Sequence, residues 1–159
     1  MKNTKQKKLA GFTLVELIIV IVVITILAAA ILVGIDPAKR FKQARNAQRW
    51  SEVNAILNAV MKYKVDNDGD LPTGVDGTIR QLGTAATACD TAPCATANDV
   101  CVDLTDSLVT TGGYLSEIPT DPNGGAAATT LYTIQSTASG GVKITACNAE
   151  DAASIYVQR

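Results

Sequence analysis

The chain contains no histidine. That removes His-based triads, imidazole metal ligands and the side chain that titrates nearest neutrality. Aromatic residues are 4% of the 159, which argues against a large aromatic core. Charged residues are 18%, below the usual quarter or so. The net charge of −1, from 14 bases and 15 acids, argues against a dedicated nucleic-acid binder. No nucleophile–base pair, phosphate loop or metal cluster stands out, so catalysis has no candidate residues. Four cysteines remain to be explained, and all lie in the second half of the chain.

The distribution of charge says more than its total. Residues 1–11 hold Lys2, Lys5, Lys7 and Lys8 and no acid. Residues 12–35 hold one charge, Glu16. Residues 37–51 hold Lys39, Arg40, Lys42, Arg45 and Arg49 and no acid. From Glu52 onward there are 13 acids against five bases. The order is a cationic leader, an apolar rod, a basic collar and an acidic head.

From Leu17 to Ile35 run 19 residues without a charge. As helix, residues 12–35 would reach about 36 Å, against a hydrocarbon core of roughly 30 Å. Three readings compete. Ala28-Ala29-Ala30 resembles a secretory cleavage site; the run could be a plain anchor; or the basic leader alone is removed and the run stays. Glu16 separates them. A carboxylate in an apolar span costs on the order of 3 kcal/mol at mid-membrane, and neither a secretory signal nor an anchor needs one. It suits a span that meets a cation inside an assembly.

Lys7-Lys8-Leu9-Ala10-Gly11 followed by Phe12-Thr13-Leu14-Val15-Glu16-Leu17 resembles the processing site of type IV prepilins and pseudopilins. The resemblance implies that a prepilin peptidase cuts between Gly11 and Phe12 and methylates the new amine of Phe12. It also implies that Glu16 pairs with the Phe12 ammonium of a neighbouring subunit. The implied partners are the chain itself as a homopolymer, the peptidase, an assembly platform with its ATPase, and the membrane before assembly. No specific nucleic acid is expected. The implied location is a single-pass membrane protein, N-terminus cytoplasmic and head outside, then a surface filament. The leader's four lysines and the collar's five bases do not decide the orientation by themselves.

Gly34-Ile35-Asp36-Pro37 should interrupt the helix, with Gly34 and Pro37 forming a kink and Asp36-Pro37 starting a new helical segment. From 38 to 65 the helical period returns, with Trp50, Val53, Ile56, Leu57, Val60 and Tyr63 on one face and Ser51, Asn54, Asn58 and Lys62 opposite. Lys42, Arg45 and Arg49 extend the apolar face and read as a solvated collar; lipid headgroups and acids of neighbouring heads are the alternatives. Trp50 reads as a packing residue.

The run Asp66-Asn67-Asp68-Gly69-Asp70-Leu71-Pro72 reads as a helix stop. Asp66, Asp68 and Asp70 alternate as in a calcium loop, but the glycine and glutamate that an EF-hand needs are misplaced. The loop Gly112–Pro122 is similar to the one that precedes the sheet in major pseudopilins, where calcium sits nearby in some members. Asp121 is on that basis a calcium candidate. No other cofactor is expected. Asn123-Gly124-Gly125 departs from the aromatic that often follows there.

Short helical turns are expected at Thr78–Leu82 and Asp103–Thr110, and strands at Leu131–Gln135, Val142–Ala146 and Ser154–Gln158. The fold class is α+β, a long N-terminal helix on a three-stranded antiparallel sheet. The expected divisions are a leader (1–11), an assembly helix (12–35), its amphipathic half (36–65) and a head (66–159), loop-rich to 130 and a meander from 131. Cys89, Cys94, Cys101 and Cys147 lack zinc spacing and read as two disulfides. Of three connectivities, Cys89–Cys94 with Cys101–Cys147 is the one expected, the longer loop giving about 4 kcal/mol.

The expected function is a structural subunit of an extracellular pilus-like filament. The rivals are a pseudopilin of a secretion or DNA-uptake machine and an unprocessed membrane-anchored head. After a cut at Gly11 the mature side chains are 10 bases and 15 acids, or −5, so the near-neutral total belongs to the precursor.

Overall fold

The computed structural model describes residues 11–90, 92–94, 96 and 99–159. The expected leader, apart from Gly11, lies outside the described residues. The chain forms two compact units that meet in sequence at Arg40 and Phe41.

The first unit is dominated by α1, Leu14–Ile35. Thr13 caps it in an extended conformation. The helix is apolar on every side, and none of its residues is buried. Its 22 residues are long and apolar enough to cross a membrane, at about 33 Å. In such a solvent a helix is the spanning form that satisfies its own backbone, which overrides the strand preference of so many Ile and Val residues. Gly34 stays inside α1, and Pro37 opens α2, Pro37–Asp66. The interruption is the single residue Asp36, left-handed at φ 45°. Its carboxylate accepts the Lys39 N–H at 3.3 Å, as an N-cap does.

In the second unit, α2 lays Val53, Ile56, Leu57, Ala59 and Val60 into the core. Facing residues in the same cluster are Tyr132, Ile134, Val142, Ile144 and Ile155 of the sheet, with Leu82, Val102, Leu104 and Leu108 from the middle of the chain. The spacing 53, 56, 57, 60 is one helical stripe. Trp50 corrects the expected face. It is 44% exposed, because it sits about 100° round the helix from Arg49, which takes the buried position. The helix ends as expected in the aspartate run: Gly69, at φ 99°, donates its N–H to the Lys64 carbonyl at 2.8 Å.

The sheet has four antiparallel strands rather than three, in the order β1 (Arg80–Gln81), β2 (Tyr132–Ser136), β3 (Val142–Ala146), β4 (Ile155–Gln158). The last three are the expected meander: β3 has the expected bounds, β2 is shifted by one residue at both ends and β4 begins one residue later. The added strand replaces the helical turn expected at Thr78–Leu82. Asp76 accepts the Thr78 N–H at 2.8 Å, an Asx turn that sends the chain out extended. Gln81 and Leu82 are then buried, and Arg80 pairs with Ile134. Around Asp103–Thr110 the expected turn is a wide π-helical one, Asp106–Thr110.

The disulfides join Cys89 to Cys101 and Cys94 to Cys147, with Cα separations of 5.3 and 4.9 Å. This corrects the expected Cys89–Cys94 and Cys101–Cys147 pairing. The physical cause is backbone pairing. Val102 donates to the Gln81 carbonyl at 2.8 Å and Gly83 to the Val102 carbonyl at 3.1 Å. Cys89 donates to the Asp99 carbonyl at 2.9 Å. The segment after β1 therefore runs beside 99–102 and brings Cys89 to Cys101. Cys147 follows β3 and is held to the Leu131 carbonyl at 3.0 Å.

Candidate functional site

The N-terminal segment presents the expected processing residues in order. Gly11 and Phe12 precede the helix, and Phe12 is 91% exposed. The bond between them is in non-helical chain, the form a peptidase can bind. Thr13 and Glu16 form a reciprocal capping box. The Glu16 N–H donates to Thr13 Oγ1 at 3.2 Å, and Glu16 Oε2 accepts the Thr13 N–H at 2.9 Å and the Thr13 hydroxyl at 2.8 Å. The Glu16 side chain is thus folded back over the helix N-terminus instead of pointing along the rod. An anion there complements the helix dipole. The result is a carboxylate folded over the N-terminal end of an apolar helix, with Gly11 and Phe12 just ahead of it.

A second constellation, in the head unit, was not legible as such. Arg49 and Asp121 are fully buried and joined by two hydrogen bonds, Nε to Oδ2 at 2.6 Å and Nη2 to Oδ1 at 2.9 Å. Arg49 Nη1 also donates to Glu150 Oε2 at 3.0 Å and to Asn46 Oδ1 at 2.8 Å. Arg45 grips both oxygens of Glu150, at 2.7 and 2.6 Å. Asn46 exchanges hydrogen bonds with the Glu150 backbone at 2.8 and 3.1 Å. Lys42 reaches Asp151 at 3.5 Å. The part of the collar read as solvated is therefore neutralised within its own unit, and neither lipid nor a neighbouring head is needed for it.

The electrostatics follow from those contacts. Hydrogen bonds from Arg45, then Arg49, overcome partial burial and lower the Glu150 carboxyl to about 2. The same bond to Glu150 raises Arg45, and the bond to Asp121 raises Arg49 despite its burial. One sign was available beforehand: Arg49 lies four residues before Val53 and seven before Ile56, on the buried stripe.

The calcium candidates are placed otherwise. Both oxygens of Asp121 serve Arg49, and Oδ1 also accepts the Asn123 N–H at 2.8 Å. Asp66 accepts the Tyr114 hydroxyl at 2.7 Å. Among the described residues no group of three or more carboxylates or thiols is placed to hold a metal ion, neither in the Asp66, Asp68 and Asp70 run nor around Asp121. The Tyr132 phenol, buried in the core, donates to Glu52; burial, then that bond, raises it far above the usual phenol range.

Residues 6–32 match the family described as the prokaryotic N-terminal methylation motif. No curated protein and no solved structure matches the chain. The matched span takes in Gly11 and Phe12, which precede the helix, and the Thr13–Glu16 capping box that begins it. The N-terminal segment is thus similar to that of type IV prepilins, and the motif supports a structural protein of the type IV pilin kind rather than an enzyme.

Proposed function

We propose that this chain is the structural subunit of an extracellular type IV pilus-like filament. A prepilin peptidase removes residues 1–11 and methylates Phe12, and the exposed α1 helices then bundle as the filament core. The observation that carries this is the capping box at the head of an unburied apolar helix. It keeps the Glu16 carboxylate at the N-terminal end of the helix, near Phe12 in sequence, which supports its pairing with the Phe12 ammonium of a neighbouring subunit. In the low-dielectric core such a pair is charge-assisted, and leaving either charge alone costs several kcal/mol. The contact therefore sets register between subunits more than it adds affinity. Before assembly α1 anchors the chain in the membrane, leader inside and head outside, where the disulfides form.

Mass spectrometry of the native protein, with electron microscopy of surface filaments, tests this. The expected N-terminus is N-methyl-Phe12 on the main filament component. An N-terminus at Met1 or Ile31 would overturn it.

A further inference from the structure

A cleft of 360 Å³ opens in the head beside the Leu82–Val102 bridge. Leu104, Val109 and Ile118 supply apolar lining, and two exposed carboxylates, Asp103 and Glu117, stand among the lining residues. An apolar slot with acids at its margin is the complement of a lysine, whose methylene stem prefers apolar surface while its ammonium seeks charge and water.

The charge pattern names a source. Residues 41–159 hold 13 acids against eight bases. Of those bases Lys42, Arg45 and Arg49 are committed to Asp151, Glu150 and Asp121. Copies of such a head brought side by side repel one another unless a cation lies between them. Lys39 belongs to the other unit, is exposed, and stands just beyond the end of the apolar helix. In a polymer whose core is the bundled α1 helices, the residues just beyond Ile35 lie where that core gives way to the heads, so Lys39 of one copy comes within reach of the heads of others.

We propose that the cleft receives the Lys39 side chain of a second copy, an inference that rests on polymerisation through α1. The ammonium lies between Asp103 and Glu117, and its stem covers Ile118. The contact gives each added subunit an electrostatic check on its position, distinct from the one at Glu16.

Carbodiimide treatment of purified wild-type filaments tests it, because the reagent joins an amine to a carboxylate only where they touch. The expected product is a peptide linking Lys39 to Glu117 or Asp103, absent from detergent-dispersed chain. In parallel, Glu117→Lys should cut filament yield about tenfold through like-charge repulsion, and Lys39→Glu in the same chain should restore it. Filaments in which Lys39 links elsewhere, or in which the double variant fails to recover, overturn the contact and leave polymerisation standing. A wild-type chain that forms no filaments overturns both.

Discussion

Arg49 and Asp121 lie 72 residues apart in sequence and meet fully buried through two hydrogen bonds of 2.6 and 2.9 Å. The pair ties the helix to the loop that leads into β2. Asn123 and Asn148 continue the tie, since the Asn148 amide donates to the Asn123 carbonyl at 2.6 Å. A short stretch of helix thereby fixes two loops far away in the chain.

Breaking that pair from one side should be severe. Arg49→Met leaves Asp121 buried and uncompensated, and should cost about 3–5 kcal/mol. Arg49→Met with Asp121→Leu should recover much of the loss, because neither charge is then stranded. Denaturant unfolding of the full chain in detergent, followed by tryptophan fluorescence, measures both. Equal destabilisation in the single and double variants would contradict this account.

Acid should act through Glu150. Its carboxyl is lowered to about 2, below the unfolded value near 4.3, so its contribution is present above pH ~4 and fades as pH falls toward 2. Thermal stability should be flat with respect to this group from pH 5 to 8 and decline below pH ~4. Glu150→Gln should be less stable near neutrality and show a shallower acid limb. A variant with an unchanged acid limb would remove Glu150 from the explanation.

The two disulfides should differ in worth. Closing 53 residues is expected to give about 4 kcal/mol and closing 12 about 3, on the chain-entropy account. Cys94→Ala with Cys147→Ala should therefore lower stability more than Cys89→Ala with Cys101→Ala. Peptide mapping without reduction should return Cys89 with Cys101 and Cys94 with Cys147. A Cys89–Cys94 peptide would refute the connectivity.

Calcium should not stabilise the head through Asp121, because a guanidinium already occupies both oxygens. Adding calcium, or removing it with a chelator, should leave the melting temperature of the wild-type chain unchanged. A calcium-dependent rise that disappears in Asp121→Asn would show that the arginine can be displaced.

Thr13 should matter to the rod beyond its place beside the proposed cleavage point. Thr13→Val removes the hydroxyl that accepts the Glu16 N–H and donates to its carboxylate, a cap worth about 1 kcal/mol. Processing should continue while filament yield falls, and Thr13→Ser should restore it. Equal filament yields from the valine and threonine chains would show that capping plays no part in assembly.

The helix and meander were legible because their signals are local. The stripe Val53, Ile56, Leu57, Val60 carries its own period, and Val142–Ala146 alternates residue by residue. The N-terminal segment was legible because Gly11, Phe12 and Glu16 form a contiguous motif. Other features were decided by partners distant in the chain. Arg80 and Gln81 are a strand because Ile134 and Thr133 lie beside them, although two residues carry no periodicity. Cys89 found Cys101 through backbone pairing that spacing does not encode. Arg49 is buried because Asp121 and Glu150 arrive from loops 72 and 101 positions later. Hydrophobicity alone puts Trp50 on the buried face, where the helical angle favours the arginine next to it.

At one margin of the sheet stands β1, with only two paired residues. Beyond it the chain turns at once to meet Val102. Little bare backbone is left there for another strand to copy. A polymer crowds its heads together at very high local concentration, the condition under which an open strand edge seeds cross-β stacking. In the filament proposed above, the truncated β1 margin leaves one fewer sheet edge, of the two formed by β1 and β4, at which heads could compete with the helices to be the element that propagates.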